Sequence, residues 1–288
     1  MLELALELDP FHLFLWDPIL FEGTPFAINR VVLLMFLASL LCLTFFLVGA
    51  ARARKRMVPS KSQNLAETAY FFVRDQIAVD VIGPEGVKYA PYLATIFFFI
   101  FFMNLLEIVP GVNFPVTSRM AIPALLAVLT WIIFNVIGIV KQGPIRYFKD
   151  TLFPPGVPIL VKPLLALIEL FSVFVIRPLT LAIRLLANMM AGHVLLTIFF
   201  LFTFDYLIDD INPLAIPLGV VTFLVACILI VFELLVISIQ AYIFTMLTAF
   251  YIAESIHGHG EHEDEEAHAT EEHRETPHET EGLEPARA

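Results

Sequence analysis

The sequence predicts an all-α membrane protein with about five membrane helices and one amphipathic surface helix, the last two membrane helices long and strongly tilted as a hairpin. Three observations predict it. Of 288 residues, 59% are hydrophobic, and the mean hydropathy is +0.83, well above the usual composition of about 45–50% apolar. Apolar stretches near 20 residues recur, each enough for ~30 Å of hydrocarbon. Clusters of Lys and Arg follow alternate stretches, as the positive-inside rule requires of a multi-pass chain. Length alone would suggest about two soluble domains; this composition reads instead as a single membrane-embedded domain over 27–255, with a lead-in at 1–26 and a tail at 256–288.

The lead-in carries Pro10, Pro18 and Pro25 and alternates acidic with aromatic residues, so it reads as irregular or interfacial. It has neither the basic start of a secretory signal nor the Arg-rich, acid-poor character of a mitochondrial presequence. Residues 27–50 form the first span. Arg52, Arg54, Lys55 and Arg56 follow at once, which places that end in the cytoplasm and the N-terminus outside. Over 62–80, Leu65, Ala69, Phe72, Val73 and Ile77 recur at helical spacing among Gln63, Glu67, Arg74, Asp75 and Asp80. That pattern predicts an amphipathic helix lying on the cytoplasmic surface, ended by Gly83-Pro84.

Residues 91–109 form a Phe-rich second span stopped by Pro110-Gly111, and 121–140 return to Lys141, Arg146 and Lys149. The last two apolar runs, 159–204 and 213–255, each exceed 40 residues. That is ~60 Å of helix, about twice the hydrocarbon thickness, so each must tilt or bend, with Pro163 and Pro178 as expected bends. The linker Asp205–Asn212 is acidic and has no Lys or Arg, which suits the external side and leaves the C-terminus in the cytoplasm. Cys42 and Cys227 lie in apolar stretches and read as small hydrophobes, not a disulfide. Eleven acidic residues against Arg274 and Arg287 put −9 of the total charge of −11 after Ile256. The overall acidity is therefore a property of the tail.

The residues richest in chemistry lie between 177 and 193. Arg184 stands in a long apolar run with no acidic residue between Glu169 and Asp205. An arginine centred in a bilayer costs ~2.5–3.5 kcal/mol on insertion scales and normally faces a partner or a water-filled path. On a helical wheel Arg177, Asn188 and Ala191 fall within about 20° of Arg184, and Thr180 and Ala187 within about 60°. This polar, small-residue stripe admits close approach of another helix. His193 falls on the opposite side, so the two residues serve different purposes.

Arg177-Pro178-Leu179-Thr180, Arg184-Leu185 and Asn188-Met189-Met190-Ala191-Gly192 resemble the signature of subunit a of F-type ATP synthases. Gln240-Ala241-Tyr242-Ile243-Phe244 with Leu247-Thr248 resembles that family's last helix, and Met103-Asn104-Leu105-Leu106 before Pro110-Gly111 an earlier one. Pro59, Gln63 and Glu67 ahead of Phe72-Val73-Arg74-Asp75-Gln76 match more weakly. The resemblance covers about 59–255, with Ala187 where the family usually has Gly.

The resemblance implies the stationary proton-channel subunit of a bacterial F-type ATP synthase. In that family two half-channels serve a rotating ring of c subunits, b subunits hold the complex, and two strongly inclined helices lie beside the ring. Arg184 is then the essential charge facing the ring. A guanidinium stays protonated, lowers the pKa of a rotor carboxylate brought beside it, and repels protons that would cross directly between the paths. His193 and Glu233 each lie near 20 residues from Pro213, and so at similar depth on antiparallel helices. The resemblance makes them a relay in the external path, where a histidine beside a carboxylate passes a proton near neutral pH.

Asn188 and Gln240 match family positions near the arginine. Thr180 and Glu169 are weaker candidates for the inner path, and Glu107 is either on the path or at the membrane edge. Arg177 reads as a path residue or a headgroup anchor. No cofactor is expected, and the translocated ion is H+ or Na+, since the family's ion-binding carboxylate belongs to the c subunit.

No Gly-rich phosphate loop, nucleophile elbow or His-Glu-x-x-His occurs, so neither nucleotide binding nor hydrolysis is expected of this chain, and nothing points to nucleic acid. The expected setting is the bacterial plasma membrane, with the bilayer as a further partner. The tail holds six of the eight histidines without fixed metal-ligand spacing and reads as a solvated, disordered segment. The rival to the resemblance is a stand-alone metal-ion transporter whose tail, with His257, His259 and His262 as ligands, acts as a sensor. An intramembrane hydrolase is weakened by the missing motifs.

Overall fold

The computed structural model describes residues 29–53, 61–109, 112, 114–153, 160–209 and 215–257. Among these the secondary structure is helical, with no strand. The first span is α1, Arg30–Ala53. The Asn29 side-chain oxygen accepts the Val32 N–H at 3.0 Å, satisfying one of the donors a helix start leaves open. The amphipathic helix α2, Lys61–Val73, continues through a π-helical stretch, Arg74–Val79, to Ile82. Gly83, at φ 83°, ends it. Its buried stripe of Gln63, Ala66, Val73 and Ile77 has the expected helical spacing, while Leu65, Phe71 and Phe72 face outward. Gly49 and Ala66 meet so closely that a side chain at Gly49 would strike the Ala66 methyl.

The second span is shorter than the sequence reading, which carried it to residue 109. Helix α3 is Ala90–Leu105, and Leu106–Ile108 form turns with Glu107 N–H bonded to the Asn104 carbonyl at 3.0 Å. The Thr117 hydroxyl donates to the Asn104 side-chain oxygen, which ties the helix end to the short 3-10 turn Val116–Ser118. Glu107 is thereby folded inward. Helix α4, Ala121–Gln142, stops at Gly143, φ 82°. It is followed by α5, Pro144–Leu152, a surface helix the sequence reading did not anticipate. Tyr147 brings α5 back against α4: its ring occupies the space over Gly138 and its hydroxyl donates to Asn135 Oδ1 at 3.1 Å.

The long hairpin is α6, Lys162–Phe171, a π-helical turn Ser172–Ile176, α7, Arg177–Phe204, and finally α8, Ala215–His257. The helical path from Lys162 to Ile208 runs 47 residues and that from Ala215 to Ile256 runs 42, or ~70 and ~63 Å. The sequence placed bends at both prolines; Pro163 instead starts α6, where its missing N–H is harmless. The ladder is interrupted just before Pro178, by the π-helical turn. The linker expected from Asp205 begins as a further π-helical turn, Asp205–Asp209.

Helices α3, α4, α7 and α8 pack into one core, and α1 and α2 cover α3. Ile100, Met103, Leu185, Met189, Ile237, Phe244 and Ile252 are fully buried there. Leu, Ile, Val and Phe side chains line the outside of α1, α4, α6 and α8, as expected of helices solvated by hydrocarbon. Among the described residues four helices are long and apolar enough to cross a membrane, and α3 is a shorter apolar one. The lead-in, the basic cluster at 54–56 and the tail beyond His257 lie outside the described residues.

Candidate functional site

Helix α7 separates its chemistry by face. Leu181, Leu185, Met189 and His193 are buried, whereas Ile183, Arg184, Ala187, Asn188 and Ala191 are exposed. Nine residues at 100° put His193 half a turn from Arg184, and packing against α4 and α8 buries the first side and leaves the second open. Along the axis Arg184 stands ~10 Å from Arg177 and ~14 Å from His193, taking 1.5 Å per residue.

One cluster lies at the His193 end. His193 Nδ1 is 3.5 Å from Glu107 Oε1, and the imidazole meets the Phe114 ring edge-on at 6.1 Å. Glu107, which the sequence left either on the path or at the membrane edge, is 0% exposed. Glu233, on α8, is 4% exposed. Its carboxylate lies directly over Gly192, where any side chain would collide with it, so this glycine is the space that Glu233 occupies. Both oxygens of Glu107 and Oε1 of Glu233 lack a hydrogen-bond partner within the protein. Buried polar atoms ordinarily have such partners, so these three oxygens stand out among the described residues. The sequence paired His193 with Glu233; the structure sets His193 beside Glu107 and places Glu233 over the neighbouring Gly192.

Midway, the Asn188 amide donates to Gln240 Oε1, linking the exposed face of α7 to buried Gln240. The Gln240 amide nitrogen is left without a protein acceptor. Thr180, also exposed, bonds back to the Ile176 carbonyl at 2.8 Å.

The other cluster lies at the Arg177 end. Arg177 holds Glu254 with both terminal nitrogens and reaches Glu169 Oε1 at 3.1 Å. Its guanidinium stacks 5.3 Å from the centre of the Tyr251 ring. A small cavity beside it is lined by Gln142, Tyr147, Asp150, Glu254 and Ser255. Burial raises the pKa of the Tyr147 hydroxyl on surface helix α5, keeping it protonated. Arg177 is therefore an ion-pair centre, which replaces the headgroup-anchor alternative. Glu254 is the residue the sequence reading passed over. Glu233, Gln240 and Glu254 are spaced by seven and fourteen residues, keeping all three within about 60° of one helix face, and that spacing was available to find it.

Among the described residues no group of three or more His, Cys, Asp or Glu is placed to hold a metal ion. The side chains of His257, His259 and His262 lie outside the description.

Comparison with known proteins gives one answer. The family model described as ATP synthase A chain matches residues 32–253. A protein described as ATP synthase subunit a from Frankia alni is 45% identical over 82% of this chain and 80% of its own length. Counterparts from Rhodococcus erythropolis, 39% identical over 88% and 93%, and from Rhodospirillum rubrum, 38% identical over 82% and 92%, carry the same description.

Proposed function

The chain belongs to the ATP synthase A chain family, and from that premise we propose that it is the stationary proton-channel subunit working against a ring of c subunits. Membership makes it a multi-pass bacterial membrane protein and a component of the synthase's membrane sector. The observation that carries the finer reading is the layout of α7. An exposed face with small residues has Arg184 near its middle, a buried charged cluster toward the His193 end and a half-buried one toward the Arg177 end.

With the N-terminus outside, as the basic clusters require, the His193 end opens outward and the Arg177 end toward the cytoplasm. A proton entering from outside is received by Glu107, His193 and Glu233, passes Asn188 and Gln240, and neutralises a rotor carboxylate. The neutral rotor site turns into the bilayer. On its return it meets the Arg177 side of the path, where Glu169 and Glu254 outnumber the guanidinium and hold a net negative field that draws the proton out. Thr180 lies between that field and Arg184. Arg184 then keeps the rotor carboxylate ionised and blocks direct passage between the two paths. Each proton crossing 100 mV supplies ~2.3 kcal/mol to rotation. The b subunits hold this subunit still against the torque, and H+ or Na+ is chosen on the rotor.

Disulfide cross-linking tests the central claim. Single cysteines at Ile183, Ala187 and Ala191 should cross-link to cysteines in the c subunit in native membranes, while buried Leu181 and Leu185 should not. Cross-links at the buried positions, or at none, would remove the rotor from this face.

A further inference from the structure

The π-helical turn Ser172–Ile176 leaves a backbone carbonyl stranded. Arg177 N–H bonds to the Ser172 carbonyl, one residue further back than α-helical geometry dictates. Val173 therefore loses its α-helical donor. Its π-helical donor would be residue 178, which is proline and has no N–H. The Trp131 indole on α4 fills the gap: its Nε1–H donates to the Val173 carbonyl at 3.0 Å, and its ring packs edge-on against Phe174 at 5.5 Å. Trp131 is itself fixed, since Asn135 donates to its backbone carbonyl at 2.7 Å and Tyr147 donates to Asn135.

The wider turn changes what faces Arg177. In an uninterrupted α-helix, Glu169 and Arg177, eight residues apart, would lie 80° apart around the axis. A π turn takes up one extra residue, so the pair behaves as if seven apart and falls within about 20°. The observed 3.1 Å contact between them fits that register. Arg184, seven α-helical residues beyond, shares the same face. The extra residue thus brings Glu169 into line with both arginines.

We propose that Trp131 is a positioning residue: by holding the Val173 carbonyl it fixes the one-residue offset that seats Glu169 on Arg177. Its consequence for transport rests on the reading of that cluster as the inner path, and the test separates the two.

In the assembled complex, with Cys42 and Cys227 replaced, spin labels at Leu167 on α6 and Val136 on α4, 64% and 51% exposed, report the rotation of α6. Trp131→Phe removes the donor and keeps an aromatic ring. Replacement of Trp131 by benzothienylalanine, which has sulfur in place of the N–H, removes the donor and keeps the whole shape. Both should shift or split the label-to-label distance, and both should lower ATP-driven proton pumping several-fold. If benzothienylalanine leaves the distance at its wild-type value, the ring only packs and the proposal is overturned. If the distance moves while pumping is unchanged, the positioning role stands and the reading of Glu169 as an inner-path residue fails.

Discussion

The two ends of α7 contain the same inventory, two carboxylates and one basic side chain, arranged to opposite effect. At the His193 end the base is an imidazole 3.5 Å from Glu107, longer than a good hydrogen bond, and three carboxylate oxygens have no protein donor. At the Arg177 end one guanidinium binds both carboxylates and an aromatic face besides. Imidazoles ordinarily titrate near neutrality, whereas guanidinium never gives up its proton in a protein. On the proposed reading the first cluster would take and give protons, and the second would be a fixed arrangement of charge shaping the path beside it. The contrast lies in the partner, not in the acids.

Arg184 belongs to neither end, and its removal should have the largest effect. Arg184→Ala should reduce ATP-driven proton pumping by more than about 100-fold, because nothing then separates the two paths. Wild-type pumping in inverted vesicles would end the whole scheme. At the His193 end the loss should appear as rate. Glu233→Gln and Glu107→Gln should each slow proton flux by roughly 10²-fold, the usual loss for a positioned proton-transfer group, with little change in folding. Unchanged flux in either variant would remove that carboxylate from the relay.

At the Arg177 end the loss should appear as stability. Arg177→Gln leaves two carboxylates facing each other and should destabilise the subunit by about 2 kcal/mol, below the full cost of breaking a buried pair because these side chains stay partly exposed. Adding Glu254→Gln should recover most of that loss, a non-additivity that thermal unfolding in detergent would measure. If the double variant is worse than the single one, the pair is not what holds this end together.

The sequence disclosed the long helices through their apolar lengths, and the opposite facing of Arg184 and His193 through simple 100° arithmetic. What it hid has identifiable causes. The burial of Glu107 depends on α3 ending at Leu105, which follows from a contact between Asn104 and Thr117 across a loop with no periodicity. The seat of Glu169 depends on a π turn, and a wheel drawn at uniform pitch places it wrongly by one residue. Pro178 advertised an interruption there, but not its sense. Gly192 was read as part of a motif, and its physical role appears only when Glu233 is brought over it from another helix. Glu254 was legible in the seven-residue spacing, although its partner was not.

The smallest effect should come from the tail, and it tests how local the Arg177 field is. Glu254 lies three residues before His257, where α8 ends, and residues beyond Ile256 carry −9 of the −11 net charge. If that charge set the field at the inner end, the contrast between the clusters would be a property of the tail and not of the ion pairs. Charges in solvent are screened over ~8 Å at physiological ionic strength, whereas Arg177, Glu169 and Glu254 touch. Removing residues 258–288 should therefore change proton pumping by less than about twofold, with the small difference fading as salt rises. A large, salt-dependent loss would transfer the inner field to the tail. A loss of metal-dependent transport, with coupling to ATP absent from the start, would favour the transporter reading of the same histidines.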